Sequence, residues 1–320
     1  MNEKVKKTIG IVLPLLLGVF LVFYTYNKFT DQQLEEMKGY FKNANYSFIA
    51  ISSFFSIVSL AARGYRWRYS LEHMGYLSSF PNNFSAVCIG YLMNYTVPRS
   101  GEVSRALVLK KYNDIPFDKA FGTIIAERVI DLFILIGFIF TALILQFDQL
   151  QAFLSSIIPV EKLIYVGFIG AFGFISVVLL FIYSNWKPIV FIKEKVAGLV
   201  EGLLSAFKMP HRVPFMMYTA VIWVSYVLTF YSAVFALPET SGISIGVIIT
   251  AFVVGSLAVT FTNGGFGAFP LMIAQILLLY NIPETAGTAF GWILWSSQTA
   301  LVVLLGGISF LLLPVFNRKK

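Results

Sequence analysis

The sequence predicts an all-α membrane protein with about six full spans and two broken, re-entrant helical hairpins arranged as an inverted repeat. Three observations lead there. Of the 320 residues, 58% are hydrophobic and 12% charged, against roughly 45–50% apolar and about 25% charged in an ordinary soluble chain. Apolar runs near the ~20 residues that cross a bilayer recur along the whole length. The basic residues gather on alternate loops, as the positive-inside rule requires.

Full spans are expected at residues 8–26, 46–62, 121–146, 163–183, 213–236 and 287–313. The first run is too long for a signal-peptide core and lacks a small-residue cleavage site after it, so it reads as a retained span. All but Lys28, Lys38, Lys42 and Lys162 of the 24 basic residues then fall on one side. That side is cytoplasmic by the rule, which puts both termini inside and the membrane of residence at the cell surface.

Two further apolar segments are interrupted. Residues 84–112 break at Asn94-Tyr95-Thr96-Val97-Pro98-Arg99-Ser100-Gly101, where Pro98 lacks a donor and Gly101 is flexible. Residues 243–280 break at Thr262-Asn263-Gly264-Gly265-Phe266-Gly267. The first begins and ends inside, the second outside. Irregular backbone at that depth needs protein or a polar cavity around it.

The two halves, 1–146 and 160–316 of one membrane domain covering 1–320, then share an order. Each runs span, amphipathic stretch, span, broken hairpin, span, and the second is upside down relative to the first. That is the pattern of inverted-repeat transporters. The amphipathic stretches are Asp31–Asn43 and 188–208, the latter with Ile192, Val196, Leu199, Leu203 and Phe207 on one face.

The candidate chemistry is polar. Asn94, Pro98, Arg99, Gly101, Glu102 and Arg105 form one group, with Arg99, Glu102 and Arg105 on one helical face by their spacing of three. Glu127, Arg128 and Asp131 form a second group at the start of the third span. Two readings stand side by side. These charges tie helices together at the interface, or they line a polar cavity that holds a charged headgroup. The run Asn263, Gly264, Gly265 and Gly267 has the same duality: close helix approach, or backbone N–H groups at a half-helix start offered to an anion. Gln275 and Gln298 either face that cavity or bond a neighbouring helix. Tyr65, Trp67, Tyr69, Trp186, Trp292 and Trp295 read as interfacial anchors, and Arg63, Arg66 and Arg68 as a topology signal. Cys88 is the sole cysteine and reads as inert packing. His73 and His211 stand apart with no metal-ligand spacing, so neither a metal nor another cofactor is expected. The net charge of +8 follows membrane orientation and gives no reason to expect a nucleic acid partner.

The string Asn94-Tyr95-Thr96-Val97-Pro98-Arg99-Ser100-Gly101-Glu102-Val103-Ser104-Arg105-Ala106, followed by Ala126-Glu127-Arg128-Val129-Ile130-Asp131, resembles the lysylphosphatidylglycerol synthase transmembrane-region family. This is the flippase-like domain of the multiple peptide resistance factor. The late glycine-rich element of that family is matched by Gly264-Gly265-Phe266-Gly267. Where the family often continues with a basic residue and a glutamate, this chain departs with Ala268, Phe269 and Pro270. In full-length synthases a soluble aminoacyl-transferase domain follows, whereas this sequence stops at Lys320. The resemblance therefore implies translocation or binding of a phospholipid or lipid-linked substrate, with a separately encoded lipid-modifying enzyme as a possible partner, and no catalysis of its own. The architecture alone leaves open a small-solute permease, or an accessory subunit of a lipid-modifying or glycosyl-transferring enzyme.

Overall fold

The computed structural model describes residues 3–97, 100–148, 165, 172–173, 176, 179–194, 197 and 208–318, with side chains from Leu16 onward. Among them every regular element is helical. The chain divides into two compact units, Met1–Glu127 with Pro210–Lys320, and Arg128–Met209.

In the first unit, α1 (Glu3–Lys28) leads through Thr30 into α2 (Asp31–Asn43). The Thr30 hydroxyl accepts from the Gln33 backbone N–H while the Gln33 side chain accepts from the Thr30 N–H, a capping box that fixes the start of α2. Helix α3 (Tyr46–His73) is capped by Asn45. Helices α4 (Phe80–Thr96) and α5 (Gly101–Asn113) form the first hairpin, and α6 (Phe117–Leu145) follows, its residues from Arg128 onward belonging to the second unit. After Pro210 come α7 (Arg212–Ala233), the hairpin α8 (Ile245–Phe261) and α9 (Ala268–Leu278), and α10 (Glu284–Phe316). Helices α3, α6, α7 with its 3-10 extension, and α10 are each long and apolar enough to cross a membrane. The chain is a polytopic all-α membrane protein.

Both breaks fall where Pro98 and the glycines placed them. Helix α4 ends at Thr96 and α5 starts at Gly101; α8 ends at Phe261 and α9 starts after Gly267. One boundary differs: the second span was expected to end at Ala62, but α3 continues unbroken to His73. The arginines past Ala62 are thus part of the helix that enters the interior. The expected fourth span and most of the stretch 188–208 lie outside the described residues. In the second unit, Lys193 Nζ donates to the carbonyls of Ile182 and Ser184, capping the helical turns at 179–183.

Helices α3 and α7 pack along their length and run antiparallel. The Asn45 N–H donates to the Ala236 carbonyl at one end, Ser56 meets Thr229 in the middle, and Tyr69 meets His211 at the other end.

Helix α10 has 33 residues, about 50 Å of helix, and carries both half-helices on its length. Its end pairs with the start of α4, where Asn317 and Asn82 exchange side-chain amide hydrogen bonds of 2.8 and 2.9 Å. Its start meets the far end of α9, where Gln275 donates to Glu284 at 2.8 Å. Helices α4 and α9 therefore lie end to end along α10. The C-terminus of α4 and the N-terminus of α9 meet beside Thr299 and Trp295, near the middle of α10. Asn82 also donates to Asn113 at the end of α5. Each net hydrogen bond is worth ~0.5–1.5 kcal/mol, so Asn82→Leu is expected to lower the melting midpoint in detergent by several degrees. An unchanged midpoint would refute a clasp at this corner.

Candidate functional site

The two breaks touch. Asn263 Nδ2 donates to the Tyr95 carbonyl at 3.4 Å, the Tyr95 hydroxyl lies 3.2 Å from that of Thr299, and Trp295 Nε1 donates to the Gly264 carbonyl at 2.8 Å. Gly264 has φ +64°, and a Cβ there would stand 2.6 Å from the Tyr95 ring. Glycine is needed here on both counts, backbone sign and space. Asn263 is buried and its Oδ1 has no hydrogen-bond partner among the described residues. Gly265 and Gly267 also take positive φ, and Gly267 packs on the Gly18 carbonyl of α1. Trp295, expected as an interfacial anchor, sits instead at this central junction, where the Gly264 carbonyl left open by the broken helix needs a donor.

The charged cluster lies at the far end of α3. Arg66, Glu127, Arg105 and Arg63 are 0, 1, 2 and 2% exposed. One carboxylate oxygen, Glu127 Oε2, is 3.5 Å from both Arg66 Nη2 and Arg105 Nη2. The other accepts from the Ser70 hydroxyl at 3.3 Å. The Arg105 guanidinium stacks over Trp67 at 4.2 Å, and Trp67 Nε1 donates to Thr123. Arg105 reaches Glu127 by crossing Gly90, where a Cβ would meet its Cγ at 2.7 Å. Arg66 also donates to Thr219 of α7. Arg63 donates to the Tyr226 hydroxyl at 2.7 Å, and Tyr226 lies 3.2 Å from the hydroxyl of Tyr91 on α4. Tyr91 sits one helical turn before Tyr95, so the hydroxyl chain from the cluster comes within a turn of the junction.

The structure thus joins Arg105 with Glu127, and Asn263 and Gly264 with the first break. Asn94 acts locally: its Oδ1 accepts from the Gly101 N–H at 2.7 Å, capping α5 from the last turn of α4. Glu102 is half-buried on α5. Arg128 and Asp131 pair with each other at 3.6 Å in the second unit. Pro98 and Arg99 lie outside the described residues.

Two further readings of the sequence need correction. Arg63 and Arg66 are interior partners rather than topology signals; Arg68 alone keeps a surface place, paired with Glu72 at 2.6 Å. Trp67 is fully buried, not interfacial, because it forms the floor under Arg105. Of the two readings of the glutamines, the bond to a neighbouring helix holds: Gln298 bonds α3, and Gln275 bonds Glu284 in the first turn of α10 beside the Lys28–Glu284 ion pair. A signal for the missed arginines was present: Ser52, Ser56, Ser59, Arg63, Arg66 and Ser70 recur at alternating steps of four and three along α3. That is a polar stripe on one helical face.

Comparisons with known proteins agree with this architecture. A UPF0104 membrane protein of Methanocaldococcus jannaschii is 31% identical over 99 residues, 30% of this chain and 30% of the relative. Glycosyltransferase AglD of Haloferax volcanii is 27% identical over 137 residues, 42% of this chain and 22% of that protein. The chain thus spans less than a third of either curated relative. No solved structure matches it. The model of the family described as "Lysylphosphatidylglycerol synthase TM region" matches residues 11–307, nearly the whole sequence, and this chain belongs to that family.

Proposed function

We propose that this protein moves the headgroup of a phospholipid or lipid-linked molecule between leaflets, as a flippase-like transporter with no catalytic step of its own. The observation that carries this reading is the meeting of two half-helix breaks at mid-length of α10, with a hydroxyl pair held by buried Arg63 ending one helical turn away and a buried Arg66–Glu127–Arg105 cluster beyond it. Each charge at membrane depth costs ~2.5–3.5 kcal/mol on insertion scales, and such groups mark substrate or ion paths by default. Guanidinium groups match phosphate oxygens with paired donors. A headgroup would pass through the polar interior while its acyl chains stay in lipid, and movement would be downhill or coupled to an ion gradient. In this reading both termini are cytoplasmic and the protein resides in the plasma membrane.

The test is transfer of fluorescent phosphatidylglycerol in reconstituted vesicles, read by quenching of the outer leaflet. The wild-type protein is expected to expose the inner-leaflet probe, and Arg63→Gln to slow this at least tenfold at equal inserted protein. Vesicles with protein that behave like empty ones would overturn the reading. Similarity to part of a protein named a glycosyltransferase favours a second reading, an accessory to a separately encoded glycosyl-transferring enzyme. That reading expects no lipid transfer, and co-purification with such an enzyme.

A further inference from the structure

The polar stripe on α3 has a length that simple helix adhesion does not require. From Ser52 to Ser70 it covers 18 residues, about 27 Å at 1.5 Å per residue, close to the ~30 Å of bilayer hydrocarbon. At 100° per residue its six members fall within an arc of about 80°. The opposite side of α3 carries the exposed Ile51, Phe54 and Ile57. Along the stripe, polar partners come from three other helices. Ser56 donates to Gln298 Oε1 of α10 at 2.5 Å and lies 3.2 Å from the Thr229 hydroxyl of α7. Ser52 accepts from Gln298 Nε2 at 3.4 Å. Ser59 donates to the Ser56 carbonyl. Further along, Arg63 bonds Tyr226 and, through it, Tyr91 of α4, and Arg66 and Ser70 both reach Glu127.

We propose that this stripe is the track of the headgroup. Ser52, Ser56 and Ser59 replace its hydration in one half of the membrane, Arg63 and Arg66 receive its phosphate in the other, and the Tyr91–Tyr226 hydrogen bond closes the passage between them. The proposal rests on the transport reading above. Hydroxyls suit such a path because each both donates and accepts. They can exchange partners with a passing headgroup without leaving a polar atom unpaired in hydrocarbon. The Tyr91 hydroxyl bonds the one that Arg63 holds, so a headgroup arriving at Arg63 competes directly for the bond that closes the track.

The test uses single cysteines in the full chain with Cys88→Ala, reconstituted in vesicles containing phosphatidylglycerol. Ser→Cys is nearly isosteric, and each variant is compared at equal inserted protein. The charged thiol reagent MTSET is expected to modify Ser52→Cys, Ser56→Cys and Ser59→Cys, and to leave the lipid-facing Ile51→Cys and Phe54→Cys untouched. Modification at Ser59→Cys is expected to slow lipid transfer at least tenfold. Adding Tyr91→Phe is expected to raise the modification rate at Ser56→Cys several-fold, since the closing bond is gone. If the stripe cysteines are as inert as Ile51→Cys while lipid still moves, the track is wrong and the transport reading stands. If they react and the modified protein moves lipid at the unmodified rate, the track is again wrong. If the unmodified protein moves no lipid, the transport reading falls and this one with it.

Discussion

Replacing Glu127 by leucine is expected to cost the fold about 3–5 kcal/mol, the typical penalty for removing one partner of a buried ion pair. Its Oε2 is the shared acceptor of Arg66 and Arg105, and its Oε1 holds Ser70. All three charged side chains are at most 2% exposed, so water cannot replace the lost carboxylate. The amount of membrane-inserted protein in Glu127→Leu should therefore collapse, and the surviving fraction should melt far below the parent in detergent. The neighbouring Arg128→Gln provides the contrast. Arg128 pairs with Asp131 at 3.6 Å with its side chain 35% exposed, and partly exposed pairs contribute ~0–1 kcal/mol. Its abundance should stay near the parent's. Equal abundance and equal melting for Glu127→Leu would show that the cluster does not hold the helices.

Gly101→Val is expected to disrupt the first hairpin. A Cβ at Gly101 would overlap the Gly90 carbonyl oxygen and stand 2.5 Å from Asn94 Nδ2. The first of these is a backbone atom inside α4, which cannot rotate aside. Asn94 must also stay, because it caps the Gly101 N–H. Overpacking of this kind costs about 1–3 kcal/mol, occasionally more. It would also pull Arg105, one turn along α5, away from Glu127. Loss of both inserted protein and lipid transfer is expected. Gly122→Ala is the control: Gly122 lies inside α6 with nothing within 4 Å of a new Cβ, and alanine there should stabilise the helix by roughly 0.5–1 kcal/mol. A Gly101→Val chain as stable as Gly122→Ala would remove the crossing of α4 and α5 from the account.

How much of this was legible in the sequence differs by element. The breaks were legible because Pro98 removes a donor and Gly264, Gly265 and Gly267 permit positive φ, both properties of single residues. Helix α2 was legible as the amphipathic stretch Asp31–Asn43, and the Thr30–Gln33 capping box seen in the structure is likewise a local feature. The long apolar helices were legible because hydrocarbon selects composition and length directly.

The partners inside the bundle were not. Arg63 and Arg66 follow a span in sequence and look like loop charges until α3 is seen to run on to His73. Trp67 and Trp295 have the composition of interfacial anchors, yet packing assigns them to Arg105 and to the Gly264 carbonyl. The sequence by itself determined that this chain is a multi-pass helical membrane protein with two broken segments, because those properties follow from local hydropathy, charge and backbone chemistry. Only the tertiary structure decided that the breaks meet beside the middle of α10 and that Glu127 is shared by Arg66 and Arg105. Those contacts join residues on separate helices, up to 204 positions apart in the case of Tyr95 and Thr299, and which helices lie side by side is set by packing across the whole bundle.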